Sequence, residues 1–165
     1  MTAGRLILLA AEPGSLDVVL GEHLPADRPL IVVSWDAPSS GVARTLSGAQ
    51  IIVVGADAPG TVERGLIAAG GAGAARLLRR TAPGRLLESF SPLHRSRLFA
   101  ARAARHPEWI PGAGDLVIAL DQSAALTAWR AVRRTPGAQG MLGLAAGLAS
   151  TRSASAGTPP SVDDR

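Results

Sequence analysis

The chain has 165 residues, 47% of them apolar, which suffices for one domain with a real core, and it has no cysteine. Disulfides, thiolate metal sites and a cysteine nucleophile are therefore excluded. All 17 basic residues are Arg, but the formal charge is only +4 and Ala and Gly are abundant; the arginine excess reads as GC-rich codon usage more than as a specialised basic surface.

The opening stretch MTAGRLILLAAEPG carries one Arg and then an apolar run, yet it reads better as a first strand, Arg5 to Ala11, than as a signal peptide. No run reaches the roughly 18 apolar residues of a membrane span, and the expected compartment is the cytoplasm. Glu12-Pro13-Gly14 turns the chain, and Ser15 can cap a short helix over Leu16 to Leu24. Pro25 to Pro29 breaks the pattern. Leu30 to Trp35, β-branched at Ile31, Val32 and Val33, is the second strand and ends in the loop Asp36 to Gly41. Val42 to Leu46 allows about one turn of helix, and Ile51 to Val54 is the third strand.

Thr61 to Arg80 has a helical pattern weakened by Gly65, Gly70, Gly71 and Gly73, each costing about 1 kcal/mol relative to Ala; a broken or mobile helix near Gly70 is the expectation, and the pattern does not decide whether Gly65 to Gly73 acts as a lid. Ser91-Pro92 forms an N-cap and N1 pair that launches a helix through Arg105, ended by His106-Pro107. A loop with Trp109, Pro111 and Gly112 leads to Leu116 to Leu120, a strand without polar alternation, which is how a strand covered on both faces reads. Asp121 or Ser123 caps a helix from about Ala124 to Arg134, with an apolar stripe of Ala125, Leu126, Trp129 and Val132 and with Arg130, Arg133 and Arg134 at its C-terminal end. After Thr135-Pro136-Gly137 a second apolar run, Met141 to Ala146, completes a βαβ unit. From 150 on, the composition predicts a disordered tail after a single domain of residues 1–149.

The fold class implied is α/β: a Rossmann-like open parallel sheet of about five strands, order 3-2-1-4-5, with helices on both faces. Ligands of such sheets sit beyond the carboxyl ends of the strands where the order reverses, here between strands 1 and 4. That places Glu12, Gly14 and Ser15 on one side of the crevice and Asp121 and Ser123 on the other. Asp121 reads first as a plain helix cap and second as a functional carboxylate. Ser91, His94 and Arg95 open the basic middle of the chain, where Arg forks suit phosphate oxygens; the alternative is a solvated helix face, with His94 a surface histidine. The glycines at 71 and 73 invite a dinucleotide fingerprint, but Arg76 occupies the third glycine position. A P-loop, zinc-ligand spacing, a GxSxG elbow and a DxD pair are all missing from the sequence, so neither cofactor nor metal is expected. The few aromatic residues, Trp35, Phe90, Phe99, Trp109 and Trp129, form no stacking platform, so nucleic acid is not an expected partner.

Gly114 to Asp121 (GDLVIALD), followed by a helix with Ala125, Leu126, Ala128, Trp129 and Arg133 and then a strand after a Gly-containing turn, resembles the last βαβ of the N-terminal, acceptor-side domain in GT-B type glycosyltransferases. Arg5 to Ala11 and Leu46 to Gly55 (LSGAQIIVVG) fit the same half, so that the likeness spans about residues 4 to 149. In that family the donor nucleotide binds mainly to a second Rossmann-like domain, and this chain runs into its tail where that domain would begin. The resemblance therefore implies an acceptor-side half working with a partner chain, a regulatory relic or a binding module, and Asp121 is the one position carried over. A sugar or sugar phosphate is the expected ligand, and a protein partner or another copy the expected company. If enzymatic, the chain is a glycosyltransferase that is not self-sufficient. The alternative is a non-catalytic module for a phosphorylated ligand or an acidic protein partner. Exposed apolar surface near the strand carboxyl ends would favour the half-enzyme; a closed pocket with a polar rim would favour the complete module.

Overall fold

In the computed structural model, residues 4–68 and 94–156 are described. Five strands form one parallel sheet: β1 Leu6–Ala10, β2 Leu30–Ser34, β3 Gln50–Val53, β4 Leu116–Ala119 and β5 Gln139–Leu142, in the order β3-β2-β1-β4-β5. The chain works outward from β1 to one edge, then crosses to the other side of β1. The switch point is therefore the β1–β4 seam, with Leu6 opposite Leu116 and Leu9 opposite Ala119.

The unalternating apolar runs follow from this placement. In β1 every residue is buried, with Ile7 and Leu9 facing one core layer and Leu6, Leu8 and Ala10 the other. The first layer is closed by α3 (Arg95–Ala103), through Phe99 and Ala103, and by α4 (Gln122–Arg134), through Ala124 and Ala128. The second is closed by the 3-10 turn Ser15–Val19, by α1 (Ser40–Thr45) and by α5 (Leu144–Ala156). A further helix, α2 (Thr61–Ala68), follows β3.

Several elements depart from the sequence reading. The helix expected over Leu16 to Leu24 is only the 3-10 turn Ser15–Val19, capped by Gly14 in the left-handed region (φ 75°), because Leu20 is extended and Gly21 again has positive φ. The last strand is Gln139–Leu142 rather than Met141 to Ala146. Gly143, at φ 84°, ends it, and Leu144 and Leu148 are buried one helical turn apart on α5. A short apolar run fits strand and helix alike, and here the glycine decides. That helix carries the backbone to Ala156, into the stretch read as tail, whose remainder 157–165 lies outside the described residues. The stripe expected on α4 is met in part: Ala125 and Val132 pack against the core, but the fully buried face is Ala124, Thr127 and Ala128, and Trp129 is 56% exposed. Small side chains let this helix approach the sheet and α3 closely, which a tryptophan on the inner face would prevent.

Both ends of the β1–β4 seam are closed by a carboxylate. At the amino end the Arg5 backbone N–H and guanidinium donate to Asp115 (2.7–2.9 Å), Gly112 N–H donates to the same carboxylate at 2.7 Å, and Arg5 also reaches the carbonyls of Glu108 and Ile110. Burial is the largest influence on Asp115 and acts to raise its pKa, but the donors from Gly112 and Arg5 together outweigh it and hold the carboxyl below its usual range. At the other end Asp121 does the equivalent.

His106 ties the loop after β3 to the Pro107–Trp109 turn, with Nε2 2.9 Å from Asp57 and Nδ1 3.3 Å from Glu108. The hydrogen bond with Asp57, against partial burial and helped by Glu108, raises its pKa above the usual 6.5. A raised folded-state value means that the stabilisation is complete below the unfolded pKa and is lost as pH climbs through the folded one. Unfolding free energy measured in urea should therefore fall as pH rises from the ordinary histidine range through the raised folded-state value, and His106→Gln should flatten that slope.

Candidate functional site

The strand tips at the switch point are organised by Asp121. Its Oδ1 accepts the N–H of Ala124 at 2.8 Å as the N-cap of α4, and its Oδ2 accepts the N–H groups of Ala11 and Glu12 at 2.8 and 3.0 Å. One carboxylate thus caps the helix after β4 and receives the backbone leaving β1. Ser123, on the first turn of α4, donates its hydroxyl to the Glu12 carboxylate. Of the residues singled out from sequence, Glu12, Gly14, Ser15, Asp121 and Ser123 therefore meet at one end of the sheet.

Arg95 arrives at the same end from α3. Its Nε donates to the carbonyl of Ala11, its Nη2 lies 3.5 Å from Asp36, and its guanidinium stacks 5.0 Å from the centre of the Trp35 ring. His94 is the N-cap residue of α3 but makes no side-chain cap; its Nδ1 lies 2.8 Å from Ser96 Oγ. The described part of that helix begins at Arg95, and Ser91 lies outside the described residues, as does the segment Gly70 to Gly73 where the sequence places a helix break.

Beside this cluster a cleft of about 230 Å³ opens between the tips of β1 and β2, walled by Glu12, Gly14, Asp17, Ser34, Asp36 and Ser39. Gly14 sits in the turn after β1 and Asp36 immediately after Trp35 and β2. The cleft is acidic, with Glu12, Asp17 and Asp36 exposed around it. Ser39 is the N-cap of α1, accepting from Val42 N–H at 3.4 Å, and buried Ser34 donates to the Asp36 carbonyl at 2.7 Å. Asp17 and Asp36 were not singled out from sequence. The position of Asp36 directly after an unbroken apolar strand is the signal that could have found it.

The floor behind Trp35 is rigid. Arg102, buried in the core, stacks 4.8 Å from the centre of that ring, donates to the carbonyls of Val54 and Gly55, and pairs with Glu63 of α2 at 2.7 Å. The hydrogen bond from Arg102 is the main cause that holds the Glu63 pKa below its usual value, against partial desolvation. Two guanidiniums thus lie against Trp35 and orient the loop that carries Asp36.

Between α4 and the edge strand β5 there is a second, apolar groove of about 380 Å³ formed by Ala119, Val132, Met141, Leu142 and Trp129. Leu142 is 60% exposed, and Arg133 stacks on Trp129 at 5.1 Å. Among the described residues no three His, Asp or Glu side chains converge as a metal site, and no helix is long and apolar enough to cross a membrane. No known protein family model matches the chain, and searches of curated proteins and of solved structures likewise give no match.

Asp121→Ala should lower stability in urea unfolding by about 2–3 kcal/mol, because three backbone donors lose a charged acceptor. Arg102→Ala should cost about 3 kcal/mol or more, since Glu63 loses its charged partner and the Val54 and Gly55 carbonyls lose the guanidinium donor; tryptophan fluorescence should report the release of Trp35 in the folded variant.

Proposed function

We propose that the chain is an acceptor-side domain of the GT-B glycosyltransferase type, which holds a hydroxyl-rich, uncharged sugar in the cleft between β1 and β2 and works with a partner chain that supplies the donor nucleotide. The observation that carries this reading is the pairing of an acidic cleft at the strand tips with an exposed apolar groove along the β5 edge of the same sheet. A carboxylate at the tip of the second strand is the position from which ribose hydroxyls are held in dinucleotide-binding sheets, and Asp36 stands there.

The cleft argues equally about what is not held. A phosphate in such a sheet rests on backbone N–H groups at the start of the helix after strand 1. Here that helix is a five-residue 3-10 turn with Asp17 in its first turn and Glu12 just before it. Negative charge there repels a phosphate and accepts hydrogen bonds from neutral hydroxyls. The same geometry weighs against the phosphorylated-ligand alternative, because Arg95 is already engaged by Ala11, Asp36 and Trp35. The groove, with Trp129 and Leu142 exposed along the β5 edge, is the apolar surface a half-enzyme offers to its other half.

A thermal-shift and NMR titration of the chain with neutral mono- and disaccharides, sugar phosphates and nucleotide sugars tests this. Millimolar neutral sugar should raise the melting temperature and shift resonances around Asp36, Asp36→Asn should weaken the effect at least fivefold, and nucleotide sugars should bind no better than the free sugar. Tighter binding of the sugar phosphate or nucleotide sugar, or no response to any sugar, would overturn the reading.

A further inference from the structure

A third cavity, of about 330 Å³, lies between α3, α4 and the loop Trp109 to Pro111 that leads into β4. It is separate from the strand-tip cleft, and its construction is different. Ala100 and Ala104 of α3 and Ile110 and Pro111 of the loop give it apolar walls, and Ile110 stands 51% exposed at its edge. The loop is held in place on both sides: buried Trp109 donates its indole N–H to the Ala103 carbonyl at 2.6 Å, and Arg5 donates to the Ile110 carbonyl at 2.7 Å. The walls are therefore fixed by the same contacts that close the amino end of the β1–β4 seam.

On its third side α4 contributes Thr127, Arg130 and Arg134, which fall on one helix face at spacings of three and four. Arg130 and Arg134 are exposed, and neither meets a carboxylate among the described residues. The helix dipole favours cations near this terminus, but it does not account for an apolar hollow beside them, and two guanidiniums one turn apart repel. Thr127 is 3% exposed, and its hydroxyl has no hydrogen-bond partner. A buried hydroxyl without a partner is costly to the fold, and this one belongs to the lining of the cavity.

We propose that this cavity binds a small organic carboxylate with an apolar body, the body lying between the alanine face of α3 and the Ile110-Pro111 loop and the carboxylate held by the Arg130 and Arg134 guanidiniums. A guanidinium fork matches a carboxylate in two parallel hydrogen bonds. The Thr127 hydroxyl gains its partner from the same head group by rotation about its Cα–Cβ bond. An anion lacking an apolar body leaves the walls unused, and an apolar molecule lacking the charge leaves the arginines unpaired.

The test is calorimetric titration of the full chain with octanoate, 1-octanol and inorganic phosphate, repeated on Arg130→Gln/Arg134→Gln and on Thr127→Val. Octanoate should bind at least tenfold more tightly than either octanol or phosphate, and the double variant, whose changes lie on the surface, should lose at least tenfold in octanoate affinity with its fold intact. Thr127→Val, which replaces an unpartnered hydroxyl by a methyl group, should melt at a higher temperature than the parent and bind octanoate several-fold more weakly. Equal affinity for octanoate and octanol, phosphate binding as tight as octanoate, unchanged octanoate affinity in the double variant, or no octanoate binding would each overturn the proposal.

Discussion

The seam between β1 and β4 joins stretches of chain 110 residues apart, and each of its ends is closed by an aspartate flanking β4. Bringing such distant strands together costs loop-closure entropy before any contact rewards it. The buried Leu6-to-Leu9 ladder supplies the reward over the middle of the seam. At its ends, where hydrogen bonding would otherwise fray into loops, Asp115 and Asp121 accept the backbone N–H groups that the parallel ladder leaves over. A slip in register by one residue would break both carboxylate clusters and turn every β1 side chain to the opposite layer.

That constraint also builds the candidate site. Because Asp121 fixes Ala11 and Glu12, the turn containing Gly14 leaves β1 at a defined angle and places Glu12 and Asp17 opposite Asp36. Trp35, against which both the Arg95 and Arg102 guanidiniums lie, fixes the other wall. The carboxylate at 121 is engaged by three backbone donors, so its part in the candidate site is positional, whereas Asp36, whose side chain is 59% exposed, keeps acceptor capacity toward the cleft. The carboxylate most conspicuous in the sequence is thus a clamp, and the one available for a ligand follows the neighbouring strand.

The strand order could be read from the chain because β1, β2 and β4 are each too uniformly apolar to face water on either side. The same logic placed the ligand crevice at the switch point between strands 1 and 4, whereas the acidic cleft lies one strand over, between the tips of β1 and β2. What escaped was information that pairs residues across space. Nothing local distinguishes Arg5 as the partner of Asp115, or Arg102 as a buried stack on Trp35. The face of α4 was misjudged for a related reason: hydrophobicity ranks Trp129 above Ala124 and Thr127, but the narrow space between sheet and α3 admits only the smaller side chains. The run after Gly140 was ambiguous until Gly143 adopted a left-handed conformation, a preference that any glycine carries and only the fold selects.

The uneven use of arginine explains why a strongly basic composition need not produce a basic protein surface. Arg5, Arg95, Arg102 and Arg105 are each engaged by backbone carbonyls, and the first three also meet carboxylates. In these positions the guanidinium serves as a multidentate brace that a lysine, with its single compact charge, could not replace. The sheet end carrying the candidate cleft is consequently acidic in an arginine-rich chain. The arginines of α4 are different: none meets a carboxylate among the described residues, and all of them stand on the one helix that borders both the apolar groove and the α3–α4 cavity. On this helix, charge that meets no described carboxylate stands beside apolar surface left uncovered, a coincidence that the total charge alone does not reveal.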